Sequence, residues 1–145
     1  MSAHASPPPT VEAGPRILVF STQNISDPGI DMAGSRHLHY PATVMTITLP
    51  CSSALRASWI LHAFERGFDG VFIAADGDEC AYLPDCGART ARIAAEAQER
   101  MKAAGYQPER VKMSALCSVC AEPFVAHMRE FSEMLAGLDA AGATA

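Results

Sequence analysis

The stretch "RILVFST", Arg16–Thr22, is apolar at successive positions with no polar alternation. A strand with one wet face would alternate, whereas a strand covered on both faces reads as a continuous apolar run. Outward from it, three more short runs follow: "ATVMTITLP" (Ala42–Pro50), "GVFIAAD" (Gly70–Asp76) and Val111–Leu116. Between them lie segments of helical period. Leu55, Trp59 and Ala63, flanked by Ile60 and Phe64, make one apolar stripe, with Gly67 as its stop. Ile93, Ala97, Met101 and Ala104 make another within a helix expected over residues 88–104 and closed by Gly105. Phe124, Met128, Phe131 and Leu135 form a third, in a helix opened by Glu122 and Pro123. Behind the first run, Asn24, Asp27, Pro28 and Gly29 read as a turn before about one helical turn near residues 31–35.

Strands alternating with helices imply right-handed βαβ crossovers and a parallel sheet covered on both faces. The expected fold is therefore α/β: a small doubly wound, flavodoxin-like four-stranded parallel sheet with helices on both faces and strand order 2-1-3-4. A proline-rich leader, 1–15, is expected to be disordered, residues 16–138 to form the domain, and 139–145 to be a flexible tail.

The chain has 145 residues, a formal charge of −5 and two lysines, Lys102 and Lys112, which argues against a nucleic-acid footprint. No stretch is apolar enough to span a membrane, and the N-terminus lacks the features of a secretory signal. A cytoplasmic location follows as the expectation, and thiols there are normally reduced.

In open parallel sheets ligands bind beyond the carboxyl ends of the strands. Cys51 follows the second run, Cys80 and Cys86 lie after the third, and Cys117 and Cys120 follow the fourth. Cysteines serving as small core residues would be scattered through strands and helices. Five on one rim is the placement a shared thiolate-ligated centre requires, although a reduced, metal-free rim is the plainer alternative. Cys117-x-x-Cys120 stands at a strand-to-helix turn, where the helix dipole favours thiolate. Thiolates from adjacent loops suit either Zn²⁺ or a [2Fe-2S] cluster.

Other candidates are weaker. "DGDE", Asp76–Glu79, reads as a solvated, turn-capping loop, because the first strand ends without an acidic pair for Mg²⁺. His37 and His39 alternate as ligands might, but surface histidines are commoner, and Arg89 and Arg92 read equally as an anion contact or a solvated helix face.

The ordered succession "ILVFSTQN…GIDMAGSR…HYPATV", "LPCSS", "HAFERGFDGVFIAADGDECAY" and "GYQPERVKMSAL" resembles the delta, iron-sulfur subunit family of methyl-viologen-reducing hydrogenase, which also occurs fused to heterodisulfide-reductase-like proteins. The resemblance covers Arg16 to Leu138. It implies a small, non-catalytic electron-transfer subunit with one [2Fe-2S] cluster, working beside a flavoprotein or iron-sulfur oxidoreductase subunit. Cys51 matches the family cysteine after the second strand. Cys80 matches the second of two cysteines flanking a Gly-Asp, and Asp76 stands near the place of the first. Ser21, Thr22 and Ile25 occupy a segment that is cysteine-rich in the family, while Cys86, Cys117 and Cys120 have no counterparts in its pattern. The resulting expectation is a cluster re-ligated by Cys80, Cys86, Cys117 and Cys120, with Cys51, alone in its loop, the spare thiol. Two alternatives stand beside it: a zinc-stapled or cluster-free docking subunit, and a CxxC thiol-disulfide redox protein.

Overall fold

A computed structural model describes residues 14–77 and 80–143. The expected leader 1–15 therefore lies almost wholly outside the described residues. Four parallel strands, β1 (Ile17–Thr22), β2 (Val44–Leu49), β3 (Gly70–Ala75) and β4 (Val111–Ala115), form one sheet in the order β2-β1-β3-β4. Four α-helices follow them in turn: α1 (Ser26–Ser35), α2 (Ala57–Glu65), α3 (Cys86–Ala103) and α4 (Ala121–Ala143). The expected α/β class and strand order are both realised.

The unbroken apolar runs occupy the centre. β1 and β3 are buried at every position, because each strand presents alternate side chains to two covered faces. Leu18, Phe20, Val71 and Ile73 pack beneath α2 and α3, against Ile60, Phe64 and Met101. Ile17, Val19 and Phe72 face α1 and α4, against Phe124, Met128, Phe131 and Leu135, so the expected α4 stripe is wholly core. Gly67 and Gly105 end α2 and α3 with φ of 93° and 87°, the left-handed stop that glycine takes without strain.

Four local expectations change. α1 is a ten-residue helix, because Pro28 falls in its first turn, where a missing N–H costs no helical bond. Trp59 points outward at 42% exposure, and Ile60 takes its place in the core. On α3 the buried line is Cys86, Thr90, Ala94, Ala97 and Met101, so Ile93 is half-buried and Ala104 exposed. Residues 139–143, expected as tail, continue α4, and Asp139 pairs with Arg110 at 2.7 Å.

The sheet is covered unevenly. At the edge strand β2, Met45 and Ile47 are about half exposed and, with Trp59, Leu49 and Phe68, line an open apolar groove of about 620 Å³.

Candidate functional site

The carboxyl ends of the strands gather all five cysteines, as topology requires. β2 delivers Cys51, which precedes the short 3₁₀ turn Ser52–Ala54. β3 delivers Asp76 immediately after Ala75, and α3 begins with Cys86. These three meet. Cys51 Sγ and Cys86 Sγ are 3.3 Å apart, and Cys86 Sγ lies 3.6 Å from Asp76 Oδ2. All three donor atoms fall within 4.8 Å of one another. A metal held at about 2.3 Å from sulfur and about 2.1 Å from oxygen in tetrahedral geometry would set S···S near ~3.7 Å and S···O near ~3.6 Å. The group therefore has nearly the span that one metal ion needs.

Buried hydroxyls position the three donors. Ser52 Oγ stands 3.3 Å from Cys86 Sγ and accepts the Asp76 N–H at 3.4 Å. The Thr90 hydroxyl lies 2.9 Å from Ser52 Oγ and donates to the Cys86 carbonyl at 2.8 Å, one turn back on α3. On the other side Thr22 Oγ1 donates to Asp76 Oδ1 at 2.6 Å. Its own N–H is held by Ser26 Oγ at 2.7 Å, and the Ser26 hydroxyl in turn donates to the Ala74 carbonyl at 3.0 Å. Each hydroxyl sits where a buried polar group must find a partner.

This environment splits the two thiols. For Cys86 burial opposes ionisation, yet hydrogen bonds from the Ser52 hydroxyl, the Cys51 thiol and the Ser53 N–H outweigh it and bring the pKa below the ordinary thiol value. Its place in the first turn of α3 acts in the same direction. For Cys51 burial comes first and pushes the pKa up, with the neighbouring Cys86 adding to it and Ser53 opposing. Of the two thiols, Cys86 is the readier to ionise.

Cys80 is buried and lies between two recesses. It lines one of about 250 Å³ together with Cys51, Asp76 and Tyr82, and another of about 530 Å³ together with Leu116, Cys117 and Cys120. At this second recess Cys117 and Cys120 are joined by a disulfide. Cys117 is exposed and Cys120 half-buried. The turn carrying them rests on α1 at Gly29, where a Cβ would come within 2.7 Å of the Cys117 carbonyl oxygen.

The structure thus brings Cys51, expected to be spare, against Cys86, and sets Cys117 and Cys120 apart as a bonded pair. Asp76, read as part of a solvated loop, is 3% exposed and belongs to the cluster. Asp78 and Glu79 of that loop lie outside the described residues. His37 and His39 are exposed, and Arg89 pairs with Asp85 at 2.8 Å. Ser52, Thr90 and Ser26 carry no reading from the sequence, and Thr22 appears there only within the segment that is cysteine-rich in the resembling family. Their one signal there is that hydroxyl residues interrupt apolar runs at strand ends and on a buried helix line.

Residues 17–139 match the family model described as "Methyl-viologen-reducing hydrogenase, delta subunit". The chain is 30% identical over 129 residues to the vhu iron-sulfur subunit of the F420-non-reducing hydrogenase of Methanococcus maripaludis, covering 83% of this chain and 90% of that protein. It is 32% identical over 104 residues to the subunit of the same name from Methanopyrus kandleri, covering 71% and 78%. It is also 27% identical over 122 residues to a ferredoxin:CoB-CoM heterodisulfide reductase subunit of Methanosarcina mazei, where the match covers 83% of this chain but 15% of that longer protein. Among the described residues no helix is long and apolar enough to cross a membrane.

Proposed function

The chain belongs to the delta-subunit family of methyl-viologen-reducing hydrogenase, and from that membership we propose that it is a small electron-transfer subunit holding one iron-sulfur centre, of the [2Fe-2S] type. The observation that carries this reading is the convergence of Cys51, Cys86 and Asp76 on the rim, with Cys80 lining the same recess as Cys51 and Asp76. These residues fit a metal-thiolate centre: two sulfurs and a carboxylate oxygen lie within 4.8 Å of one another, and one of the thiols is the readier to ionise. Cys51, Cys86, Asp76 and Cys80 would hold the group, which supplies one-electron exchange when bound. This set replaces the one expected from the sequence, because Cys117 and Cys120 are engaged with each other.

The chain's own residues do the positioning. Ser52 and Thr90 fix Cys86, and Thr22 fixes one oxygen of Asp76, leaving the other toward Cys86. Such supporting partners orient metal ligands and tune their basicity. The partner class is a flavin-bearing or iron-sulfur oxidoreductase subunit. Support comes from the names of the relatives and from the long Methanosarcina protein in which a region like this chain is one part.

Protein purified without oxygen should contain iron and acid-labile sulfide, with a visible charge-transfer spectrum and a paramagnetic signal on reduction. Finding neither iron nor sulfide would sink the proposal. The mixed sulfur and oxygen donors also favour a second reading, a zinc-stapled docking subunit. Stoichiometric zinc without visible absorbance would select it.

A further inference from the structure

We propose that Cys117 and Cys120 form a second redox centre, a two-electron dithiol-disulfide couple that exchanges with a small organic thiol or disulfide admitted to the 530 Å³ cavity beside it. The proposal does not depend on the metal centre.

Three observations converge on it. First, the two sulfurs are unequal. Cys117 is exposed, in a turn with Ser118 and Val119, whereas Cys120 is half-buried and directly precedes Ala121, the first residue of a 23-residue helix. An incoming thiolate reaches Cys117, and the displaced charge falls on Cys120 beside first-turn N–H groups that have no intrahelical acceptor. Second, the disulfide forms one wall of a cavity whose other walls include Asn24, Ile25 and the buried thiol of Cys80. Its volume lies within the range of small-molecule sites. Third, the turn is held independently of the bond. Gly29 of α1 touches the Cys117 carbonyl without a side chain between them, the Cys120 N–H donates to that carbonyl at 3.2 Å, and the Phe124 N–H donates to the Cys120 carbonyl at 3.1 Å. The sulfurs therefore remain opposite one another when the disulfide opens.

The exchange balances without another reactant. A thiolate attacks Cys117 Sγ, a new S–S bond forms, and the Cys117–Cys120 bond breaks with its electron pair on Cys120 Sγ. A second thiolate attacks the sulfur of the first thiol and releases Cys117. Two thiols become one disulfide, the protein disulfide becomes two thiols, and the two protons pass from the entering thiols to the cysteines.

The test uses the full-length protein, purified without oxygen, and glutathione as the probe. In the folded wild type, reduced glutathione should open the pair, read by alkylation and peptide mass. With glutathione disulfide, Cys120→Ser should acquire one glutathione at Cys117, on the order of tenfold faster than Cys117→Ser acquires one at Cys120. Both variants should keep the iron content of the wild type. A pair that stays oxidised in the folded protein while opening in urea overturns the proposal, and so does equal labelling of the two variants. Loss of iron in either variant also overturns it, by returning these cysteines to the metal site. Absence of iron from every form, with exchange intact, overturns the electron-transfer reading and not this one.

Discussion

The two ends of the cysteine rim use the same side chain in opposite ways. At one end Cys51 and Cys86 arrive from different elements, 35 positions apart, and stop 3.3 Å from each other, hydrogen-bonded but without a disulfide. A carboxylate and a shell of hydroxyls surround them, and that shell divides their acidities. At the other end Cys117 and Cys120 arise from one short turn, face a cavity and are bonded. A cysteine's chemistry here follows from its neighbours and its exposure more than from its position on the rim.

Removing the polar shell should blunt this contrast most. Ser52→Ala takes the hydroxyl from Cys86 and the acceptor from the Asp76 N–H, so metal affinity should fall by about 10- to 100-fold. Chelator competition measures the fall, and the Cys117–Cys120 thiol count should not change. Unaltered affinity would show that the shell does not hold the donors.

A smaller effect is expected from the opposite end. Gly29→Ala drives a Cβ into the Cys117 carbonyl, and relieving that contact should cost about 1–3 kcal/mol in urea unfolding. Iron content should stay at the wild-type level, since α1 is linked to the metal end through Ser26, which holds the N–H of Thr22 at the end of β1, and not through Gly29. An unchanged unfolding midpoint would mean that the turn is not seated on α1.

The smallest effect concerns Asp85, which precedes α3 and hence Cys86. The hydrogen bond from Arg89 holds its carboxyl below the usual range. A lowered folded-state pKa stabilises above the unfolded value, and that contribution fades as pH falls through the folded one. Asp85→Asn should therefore unfold slightly earlier than the wild type at about pH 7, and the gap should close as the pH falls below the ordinary aspartate range. A gap that widens in acid would refute the pairing.

The sequence carried the frame well. The apolar run of β1 marked it as covered on both faces, the expected order 2-1-3-4 set β3 beside it, and the spacing of Phe124, Met128, Phe131 and Leu135 marked the buried line of α4. The rim was legible as a place, because parallel topology puts every strand-to-helix loop on the same side. Its pairings were not. Which sulfur meets which depends on how far β2 projects past β3 and on the residue at which α3 begins, and neither is encoded in spacing. Asp76 shows the limit most clearly. An acidic residue among Gly77, Asp78 and Glu79 reads as solvated, and its burial rests on partners distant in sequence: the Thr22 hydroxyl at the end of β1 on its carboxylate and Ser52 on its N–H. Pro28 and Gly29 misled for a related reason, since their roles are a first helical turn and a close approach to a distant carbonyl.

The sequence separations have one more consequence, in the entropy of the unfolded chain. A link between Cys117 and Cys120 spans a separation of 3, and restricting so short a loop stabilises the fold by only about 2 kcal/mol in the chain-entropy account. A tie across Cys51 and Cys86 spans 35, and the same account gives it about 4 kcal/mol. Opening the short loop forfeits little, as suits a bond made and broken in service. A metal clip across the longer one would also act as a staple, joining the end of β2 to the start of α3.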